Sequence, residues 1–411
     1  MIATDGYMDL HSGAPYWLVV GGLGLVVPPL QRDTECDAVI IGGGIVGAVV
    51  CDALARNGLR VVLLDKRDIG LGSTVASTAI VQYDTDLPLT ELKTVIGEQQ
   101  AIRAYRLSAA AVLRMLELAD ELECPGTRRH SLYLCTREGD EPFLQHEARE
   151  RAAAGIGCRW ITAQELFDGW GISARGAILS ALAGEIDPYR LCHALLRRAV
   201  RTGAHVYDRT RVSKITHTTS GCLVQTDRGS TVRARYVIHA TGYESVGELP
   251  PGLVKLSSTY TFASEPTLPP DACWSDRATV WEHADPYLYL RWHGNRLLVG
   301  GEDVEFADET TRDALLSEKT AALHRRIRDL VPGIDIEPAF AWTGTFASTR
   351  DSLGCAGPRS TGDPELFAVG FGGNGTTFAA IAADILLAHI RGKPAPDAPL
   401  FAPRTQRPRV E

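Results

Sequence analysis

Three glycines and one aspartate near the start of the chain have the spacing of a dinucleotide-binding turn. Gly42, Gly44 and Gly47 follow the mostly apolar run 37–41, and Asp65 follows a second such run at 60–64. The first glycine allows a sharp turn, the second lets backbone amides approach a pyrophosphate, and the third lets a helix pack on a strand. The helix N-terminus then faces the phosphate charge. These residues predict a dinucleotide site in which the Asp65 carboxylate reaches a ribose hydroxyl.

A second glycine-rich turn lies near the end of the chain. Residues 370–375 carry four glycines between the apolar run 366–369 and an apolar segment that continues to about residue 390. One interpretation is a helix N-terminus that faces a cofactor ring which gains negative charge on reduction, as a flavin does. The alternative is a glycine-rich helix start with no ligand. For the first turn, the alternative is tight packing alone.

The composition limits the classes of function. The chain has 411 residues, 45% of them hydrophobic and 22% charged, which suits two interleaved globular domains. Its net charge of −8, without a long basic run, argues against a nucleic-acid partner. Nine cysteines without a CxxC pair indicate thiols in a reducing, cytoplasmic compartment. The eleven histidines form no recognisable metal-ligand spacing, so no metal site is predicted.

The apolar stretch 16–27 requires a separate interpretation. It is about half the ~20 residues that a membrane span needs, and the residues before it include Asp5 and Asp9 but no Lys or Arg. That flank is wrong for a signal peptide. We therefore expect no membrane span and an N-terminal arm that packs ahead of the first strand.

The remaining pattern predicts a strand–helix–strand start, a β-rich middle and a closing strand–turn–helix. Together these elements predict a nucleotide-binding domain built from distant segments, with a second domain inserted in two pieces. Helices are expected near 97–122, 145–154, 162–168, 188–202, 310–331 and 376–390, and strands near 128–136, 205–207, 222–226, 231–239, 257–263, 278–282, 286–292, 296–300 and 366–369.

Five segments, in this order, resemble the D-amino acid oxidase superfamily of FAD-dependent amine oxidoreductases. The resemblance is closest to bacterial sarcosine, glycine and γ-glutamylputrescine oxidases. The segments are Val39–Gly47 with Asp65, Gly72-Ser73, Glu185-Ile-Asp-Pro188, Val237-Ile-His-Ala-Thr-Gly242 and Gly370–Gly375, and Trp342-Thr-Gly-Thr-Phe346 with Thr349-Arg-Asp351 match a further block.

The resemblance implies an α/β fold. Its first part would be a Rossmann-like FAD-binding domain of the glutathione-reductase type, and its second an inserted β-sheet substrate domain. The FAD-binding domain is expected at 34–95, 175–250 and 340–392, and the substrate domain at 96–174 and 251–339. Residues 1–33 would form the arm, and 393–411 a surface strap or a disordered tail.

The resemblance also implies the cofactor contacts. Gly42, Gly44 and Gly47 would hold the pyrophosphate and Asp65 the adenosine ribose. The adenine would meet the backbone of Val212. The alternative is that Val212 is an ordinary core residue of a strand. The flavin's pyrimidine edge would meet Gly373, Asn374 and Thr376. The other expected FAD contacts are Ile45, Val46, Lys66, Gly72, Ser73, Thr74, Ser77, Thr78, Ala240, Thr241, Gly242, Gly344 and Gly375.

Departures from the family pattern carry information of their own. The cysteine that sarcosine oxidase bonds to its flavin falls at Gly344, which implies non-covalent FAD. The lysine that helps that enzyme activate oxygen is replaced here by Leu298. Without that cation the reduced flavin has less help in reacting with oxygen, so the electron acceptor is either oxygen or another carrier. The basic residues that bind the substrate carboxylate in sarcosine oxidase are replaced here by Gln82 and Thr377, and the corresponding arginine of glycine oxidase is replaced by Phe346. A plain α-amino acid should therefore bind poorly, because a desolvated carboxylate needs a charged partner.

The strand predicted at 286–292 supplies the remaining candidates. Alternation puts Tyr287, Tyr289 and Arg291 on one face, and Tyr287 matches a substrate-side tyrosine of sarcosine oxidase. Arg291 either clamps an acidic group of the substrate or forms an ordinary ion pair. The candidate catalytic residues are Tyr287, Arg291 and Gln82. The candidate substrate contacts are Tyr83, Tyr260, Tyr289, Trp342, Phe346 and Thr377, of which Tyr83, Tyr260 and Trp342 could equally be core.

The leading functional hypothesis is an FAD-dependent oxidoreductase that oxidises a C–N bond of a small-molecule amine or N-substituted amino acid. Hydride would pass to flavin N5 and the imine would hydrolyse. One alternative is a dehydrogenase of a hydroxy acid or polyol that uses a non-oxygen acceptor. Another is a flavin-carrying subunit without turnover. The sequence leaves the substrate's identity and the oligomeric state open.

Overall fold

The computed structural model describes residues 9–124, 126–244, 253–267, 274, 276–306 and 308–403. The parts of the predicted arm, inserted domain and tail that fall on 1–8, 245–252, 268–273 and 404–411 lie outside the described residues. The strands are β1 (His11–Gly13), β2 (Thr34–Ile41), β3 (Val61–Leu64), β4 (Ile80–Gln82), β5 (Thr127–Cys135), β6 (Cys158–Thr162), β7 (Gly176–Glu185), β8 (His205–Tyr207), β9 (Val212–Thr218), β10 (Gly221–Thr226), β11 (Thr231–His239), β12 (Val254–Ser264), β13 (Thr279–Glu282), β14 (Leu288–His293), β15 (Arg296–Val304), β16 (Pro338–Thr349), β17 (Cys355–Pro358) and β18 (Glu365–Val369). The helices are α1 (Tyr16–Val20), α2 (Ile45–Arg56), α3 (Ser73–Ala76), α4 (Leu89–Ile96), α5 (Glu98–Glu121), α6 (Glu141–Ala153), α7 (Ala163–Trp170), α8 (Pro188–Arg201), α9 (Glu309–Ala314), α10 (Leu316–Leu330) and α11 (Gly375–Ile390).

The first sheet has a parallel centre. Strands β18, β11, β2, β3 and β8 run parallel in that order, β17 adds antiparallel to β18, and β9 and β10 continue from β11. Helices α2, α8 and α11 pack together against one face of this sheet. This is the Rossmann-like arrangement that the resemblance implied.

Two glycines make the turn between β2 and α2 possible. Gly42 has φ +111°, and a side chain there would overlap the carbonyl oxygen of Ala240. A methyl group at Gly47 would overlap the carbonyl oxygen of Gly42. Gly47 therefore lets helix α2 approach the turn, as the third glycine of this motif does.

The second sheet is mostly antiparallel. Its order is β1-β16-β12-β15-β14-β13-β5-β7-β4, and β6 adds to β7. Long side chains from β12, β14 and β15 meet helix α10 in a separate core. The molecule thus combines a parallel α/β sheet with a second β-sheet, as predicted.

The membership of the sheets differs from the predicted domain bounds. Strands β4, β7 and β16 lie in residue ranges assigned to the FAD-binding domain, yet they pair within the second sheet. Strand β7 was not predicted. Its sequence is rich in Ala, Gly and Leu, which have little strand preference, and its pairing with β5 and β6 decides its conformation.

The N-terminal arm packs on the protein, as predicted. Strand β1 pairs with β16, and Tyr16 and Trp17 of α1 are buried. The indole N–H of Trp17 donates to the carbonyl oxygen of Ser77 at 2.6 Å. At the other end, Asp397 binds Arg103 at 2.7 Å and Phe401 is fully buried, so this part of the tail is a strap.

Candidate functional site

A cavity of about 400 Å³ lies at the carboxyl ends of the parallel strands. Residues at or just after the ends of β2, β3, β11 and β18 line it, which is where open α/β sheets bind their ligands. Most of the predicted cofactor contacts line this cavity, namely Gly42, Gly44, Ile45, Val46, Asp65, Lys66, Gly72, Ser73, Thr74, Ser77, Val212, Ala240, Thr241, Gly242, Gly373, Gly375 and Thr376. Gly47 does not line it because its role is in the packing of α2.

Asp65 is held in place by backbone amides. Its carboxylate accepts hydrogen bonds from the N–H groups of Gly43 at 2.6 Å and Arg67 at 2.7 Å. Burial nevertheless raises the pKa of Asp65 to about 6. The neighbouring cations Lys66 and Arg67 bind Glu244, each at 2.8 Å, so they close one end of the cavity as ion pairs.

The helices α2 and α11 both begin at the cavities. The N-cap residue of α2 is Gly44, which has no side chain, and the N-cap residue of α11 is Asn374, whose side chain does not cap the helix. Thr74 accepts the hydrogen bond of the Ile45 N–H at 2.8 Å. The buried hydroxyl of Ser73 has no partner in the described part of the chain. Two helix N-termini and an unpartnered hydroxyl are suited to an anionic ligand.

A second, smaller cavity of about 120 Å³ adjoins the first. The two share Ser73, Ser77, Tyr243 and Gly373. Besides the shared Ser73, Ser77 and Gly373, seven further residues predicted from the sequence line the smaller one, namely Thr78, Gln82, Tyr287, Tyr289, Gly344, Phe346 and Asn374. None of the described residues that line it is Lys, Arg or His, in keeping with the missing cations noted at Gln82 and Phe346.

The hypothesis that Arg291 binds substrate is wrong. Arg291 is fully buried and does not line either cavity. Its guanidinium donates to the carbonyl oxygens of Ala79 at 3.1 Å and Ile186 at 3.0 Å, and lies 5.0 Å from the Trp17 ring centroid. It shares a face with Tyr289 but lies roughly 7 Å further along the strand, past the cavity edge.

Four other predicted substrate contacts also lie outside the cavity lining. Tyr83 packs in the core beside Tyr105, and Tyr260 lies beneath the Lys319 ammonium. The other two support the wall from behind, because Trp342 donates to the carbonyl oxygen of Ala76 at 2.8 Å and Thr377 to that of Gln82 at 3.0 Å. For the aromatic residues, core packing, the stated alternative, is the correct interpretation.

Sequence reasoning missed the two carboxylates of the smaller cavity, Asp86 and Asp303, and the rings of Trp281 and Tyr243. One signal was present for Asp303, which closely follows the pair Gly300-Gly301 in an otherwise apolar strand. A side chain at Gly300 would overlap the Tyr289 ring. Glycine at such a position indicates close approach, and the acid beside it then lies at a packed site.

Asp86 is positioned by an anchored loop. The side-chain amide of Asn374 donates to the carbonyl oxygen of Asp84, and Thr377 holds Gln82, so the N-terminus of α11 fixes both ends of 82–84. Beneath the loop the buried Arg151 binds the carboxylates of Asp84 and Glu147. The Asp86 Oδ2 atom then lies 2.8 Å from the position that a side chain at Gly372 would occupy.

Asp303 is turned toward the cavity by a β-bulge. The register between β12 and β15 shifts near Ser258–Tyr260, and Glu302 has φ +57°. A bulge of this kind re-aims the side chains that follow it. Glu302 binds Arg326 at 2.8 Å and Lys319 at 3.3 Å, whereas Asp303 lines the cavity.

The surroundings of these two carboxylates disfavour their charged forms. Burial, together with the nearby charge of Asp86, raises the pKa of Asp303 to about 7, although a hydrogen bond with Thr259 opposes the shift. Asp86 is exposed where it faces the cavity, yet desolvation by the surrounding protein raises its pKa to about 6. The Oδ1 atom of Asp303 has no hydrogen-bond partner in the described structure.

One group of His and acidic residues lies apart from the smaller cavity. His217, Asp363 and Glu365 offer atoms within 4.8 Å of one another. Glu365 accepts hydrogen bonds from His217 at 2.6 Å and His239 at 2.8 Å, and these bonds lower the pKa of Glu365 to about 2. Arg359 also approaches Glu365 at 3.6 Å, and such a cation explains the cluster as an ion-pair network.

Comparison with known proteins decides the family. The family model described as "FAD dependent oxidoreductase" (DAO) matches residues 37–389. The chain belongs to this family. It is 25% identical to glycine oxidase of Bacillus licheniformis over 87% of its own length and 94% of that protein's. It is 24% identical to γ-glutamylputrescine oxidoreductase of Escherichia coli over 88% and 85%, respectively. The crystal structure of glycine oxidase from Geobacillus kaustophilus superposes with a TM-score of 0.74 at 22% identity, over 90% of this chain and 99% of that one.

The two cavities fit the FAD of this family. The glycine turn and the N-terminus of α2 suit the pyrophosphate, and Asp65 suits the ribose. The N-terminus of α11 adjoins the boundary between the cavities. Cysteine is absent from the described lining residues, and Gly344 takes the position where a covalent link was considered. The described lining therefore offers no thiol for a covalent link to the FAD.

None of the helices that the structure describes is both long and apolar enough to pass through a membrane.

Proposed function

We propose that the protein oxidises the C–N bond of a small amine at the smaller cavity, which adjoins the FAD site. The observation that carries the proposal is the polarity of that cavity. Its described lining contains two carboxylates, five large aromatic residues and no cationic side chain. An amine is attracted to such a site, whereas a carboxylate ligand is repelled.

FAD would supply the redox chemistry by accepting a hydride from the carbon next to the nitrogen, which leaves an imine. The chain's residues would bind and orient the amine. Tyr287 and Phe346 would restrict where its carbon atoms lie, and Gln82 offers a buried Oε1 acceptor that has no partner in the described structure. The nitrogen must lose its proton before it can donate electrons. Water then hydrolyses the imine to a carbonyl compound and an amine, and a two-electron acceptor such as oxygen or a quinone returns the cofactor to its oxidised state.

The alternative substrate, a 2-hydroxy acid, lacks support. Its carboxylate would enter a cavity that already holds Asp86 and Asp303. Repulsion between like charges in a poorly solvated site costs on the order of several kcal/mol. Buried anions need a partner, and the described lining offers none.

Anaerobic mixing tests the proposal. The purified protein with its bound FAD is mixed with primary and secondary amines and, separately, with 2-hydroxy acids, and flavin absorbance is followed. We expect amines to bleach the flavin and hydroxy acids to leave it oxidised. Bleaching by hydroxy acids alone would contradict the proposal.

A further inference from the structure

We infer that the amine oxidised at this site carries a second cationic group, which Asp86 and Asp303 bind. The substrate class is a short diamine or a related dication without a carboxylate. This inference rests on the proposed function and narrows it.

The two carboxylates approach one cavity from different elements. Asp86 lies in the loop after β4, against the turn before α11, and Asp303 lies at the end of β15 beside Thr259 and Tyr289. The charge of Asp86 acts on Asp303, so the two are close enough to interact. A ligand in the cavity therefore meets negative charge on more than one side.

Neither carboxylate has a counterion in the described structure, although the acids around them do. Glu302 binds Arg326 and Lys319, and Glu282 binds Arg326 and accepts the N–H of Leu288 at 3.0 Å. Asp84 and Glu147 share Arg151. An unpaired carboxylate is expensive to desolvate, and the Oδ1 atom of Asp303 is buried without a hydrogen-bond partner in the described structure. The contrast indicates that the missing positive charge arrives with a ligand.

The aromatic residues of the cavity suit the same ligand. Tyr287 lies 5.6 Å from Tyr289 and 6.5 Å from Trp281, measured between ring centroids. Trp281 in turn stacks on Tyr133 at 3.7 Å, which fixes its plane. Ring faces attract ammonium groups, and this attraction increases where water is excluded. The rings can also cover the methylene groups between two nitrogens.

The charge balance favours a dication over a monocation. A bound ammonium group favours the ionised form of a neighbouring carboxylate. Two carboxylates ionised in this way carry a charge of −2, so a monoamine leaves one charge unpaired. A diamine enters with two ammonium groups. The one to be oxidised would release its proton to water. The carbon next to that nitrogen would then give a hydride to FAD, which leaves an imine, while the other ammonium would stay bound. After hydrolysis, the product of a primary diamine is an amino-aldehyde and ammonia.

Anaerobic flavin reduction by matched ligands tests the inference. The probes are 1,4-diaminobutane, butylamine and 4-aminobutanoate, which have the same chain length but different end groups. A charge-assisted hydrogen bond contributes roughly 1.5–3 kcal/mol, so the diamine should reduce the flavin with an apparent dissociation constant about 10- to 100-fold below that of butylamine. The aminobutanoate should be weakest.

Variants locate the effect. Asp303→Asn and Asp86→Asn should each raise the dissociation constant of the diamine about tenfold or more while changing that of butylamine much less. Glu302→Gln, next to Asp303 but paired outside the cavity, is the matched control and should keep the preference for the diamine. A preference retained in both Asp variants would overturn the inference, and FAD absorbance reports whether each variant is folded.

The failures of the two claims are distinguishable. If butylamine and the diamine reduce the flavin equally well, amine oxidation stands and the second-cation inference is wrong. If no amine reduces the flavin, the proposed function is wrong. In that case, titration of the diamine against the oxidised flavin spectrum still tests binding, because the inference requires a spectral shift that Asp303→Asn weakens.

Discussion

The pKa of Asp303 differs between the folded and the unfolded protein. Its pKa rises from the ordinary 3.8 to about 7 because the folded protein desolvates it. The folded state then binds this proton more tightly than the unfolded state does. The resulting stabilisation is fully present below about pH 4 and is lost as pH rises through about 7.

This titration predicts a pH-dependent effect of Asp303→Asn. In substrate-free protein, the variant should match the wild type near pH 4 and exceed its free energy of unfolding by about 2–4 kcal/mol above pH 7. Denaturant unfolding at several pH values measures the difference. A constant difference between pH 4 and pH 8 would contradict the environment described for Asp303.

Gly47 should tolerate no side chain. Gly47→Ala would force helix α2 away from the carbonyl oxygen of Gly42, so we expect loss of bound FAD and a free energy of unfolding lower by about 1–3 kcal/mol. Gly169→Ala, at an open position in α7, is the control and should be neutral or slightly stabilising. Retention of full FAD content in Gly47→Ala, measured by absorbance, would refute the packing role.

At this scale the sequence was informative where a residue type has a local reason. Gly42 and Gly47 were predictable because only glycine fits a turn and a helix–strand contact of that kind. Asp86 and Asp303 were not, because the polarity of their surroundings depends on strands and loops that are distant in sequence. Arg291 was misjudged for the same reason, since alternation gives a face but not the extent of the cavity along it.

Among the elements, the segment 77–80 depends on supports that the sequence did not reveal. Trp17 of the arm binds Ser77, and Arg291 of β14 binds Ala79. Burial lowers the pKa of Arg291 to about 10, which leaves the guanidinium charged at neutral pH. The arm and strand β14 therefore hold one wall of the smaller cavity.

Arg291→Met should weaken this wall without changing what the site prefers. It leaves the carbonyl oxygens of Ala79 and Ile186 without their donors, partly offset by removal of a buried charge, for a net loss of about 1–3 kcal/mol in the free energy of unfolding. The relative rates of flavin reduction by diamine and monoamine should stay unchanged. Arg159→Met, at an exposed ion pair, is the control for stability. A changed ligand preference would restore the hypothesis that Arg291 contacts substrate.

The elements themselves were largely predictable. The long periodic helix α5 and strands such as β11 were found close to their observed bounds. Strand β7 was missed because residues with little strand preference are held there by pairing on both sides. The long helix expected at 310–331 is divided into α9 and α10 at Leu315, a break that has no strong local signal.

For the whole molecule, the important feature is that segments far apart in sequence meet around two adjoining cavities. The turn after β2, the segment after β11 and the turn before α11 line the larger one. The second sheet contributes β14, β15 and β16 to the smaller one. The order of the elements predicted a nucleotide-binding domain built from distant segments, and the family resemblance predicted which of those segments meet the cofactor.

A single turnover without oxygen tests the central claim of amine oxidation most directly. The FAD-loaded protein is mixed with one equivalent of 1,4-diaminobutane, and the reduced flavin and the carbonyl product are both quantified. The account predicts one equivalent of amino-aldehyde for each flavin bleached, counted together with the cyclic imine that forms when its amine condenses with its own carbonyl group. Bleaching without a carbonyl product, or a flavin that stays oxidised with every amine while a hydroxy acid reduces it, would contradict the account.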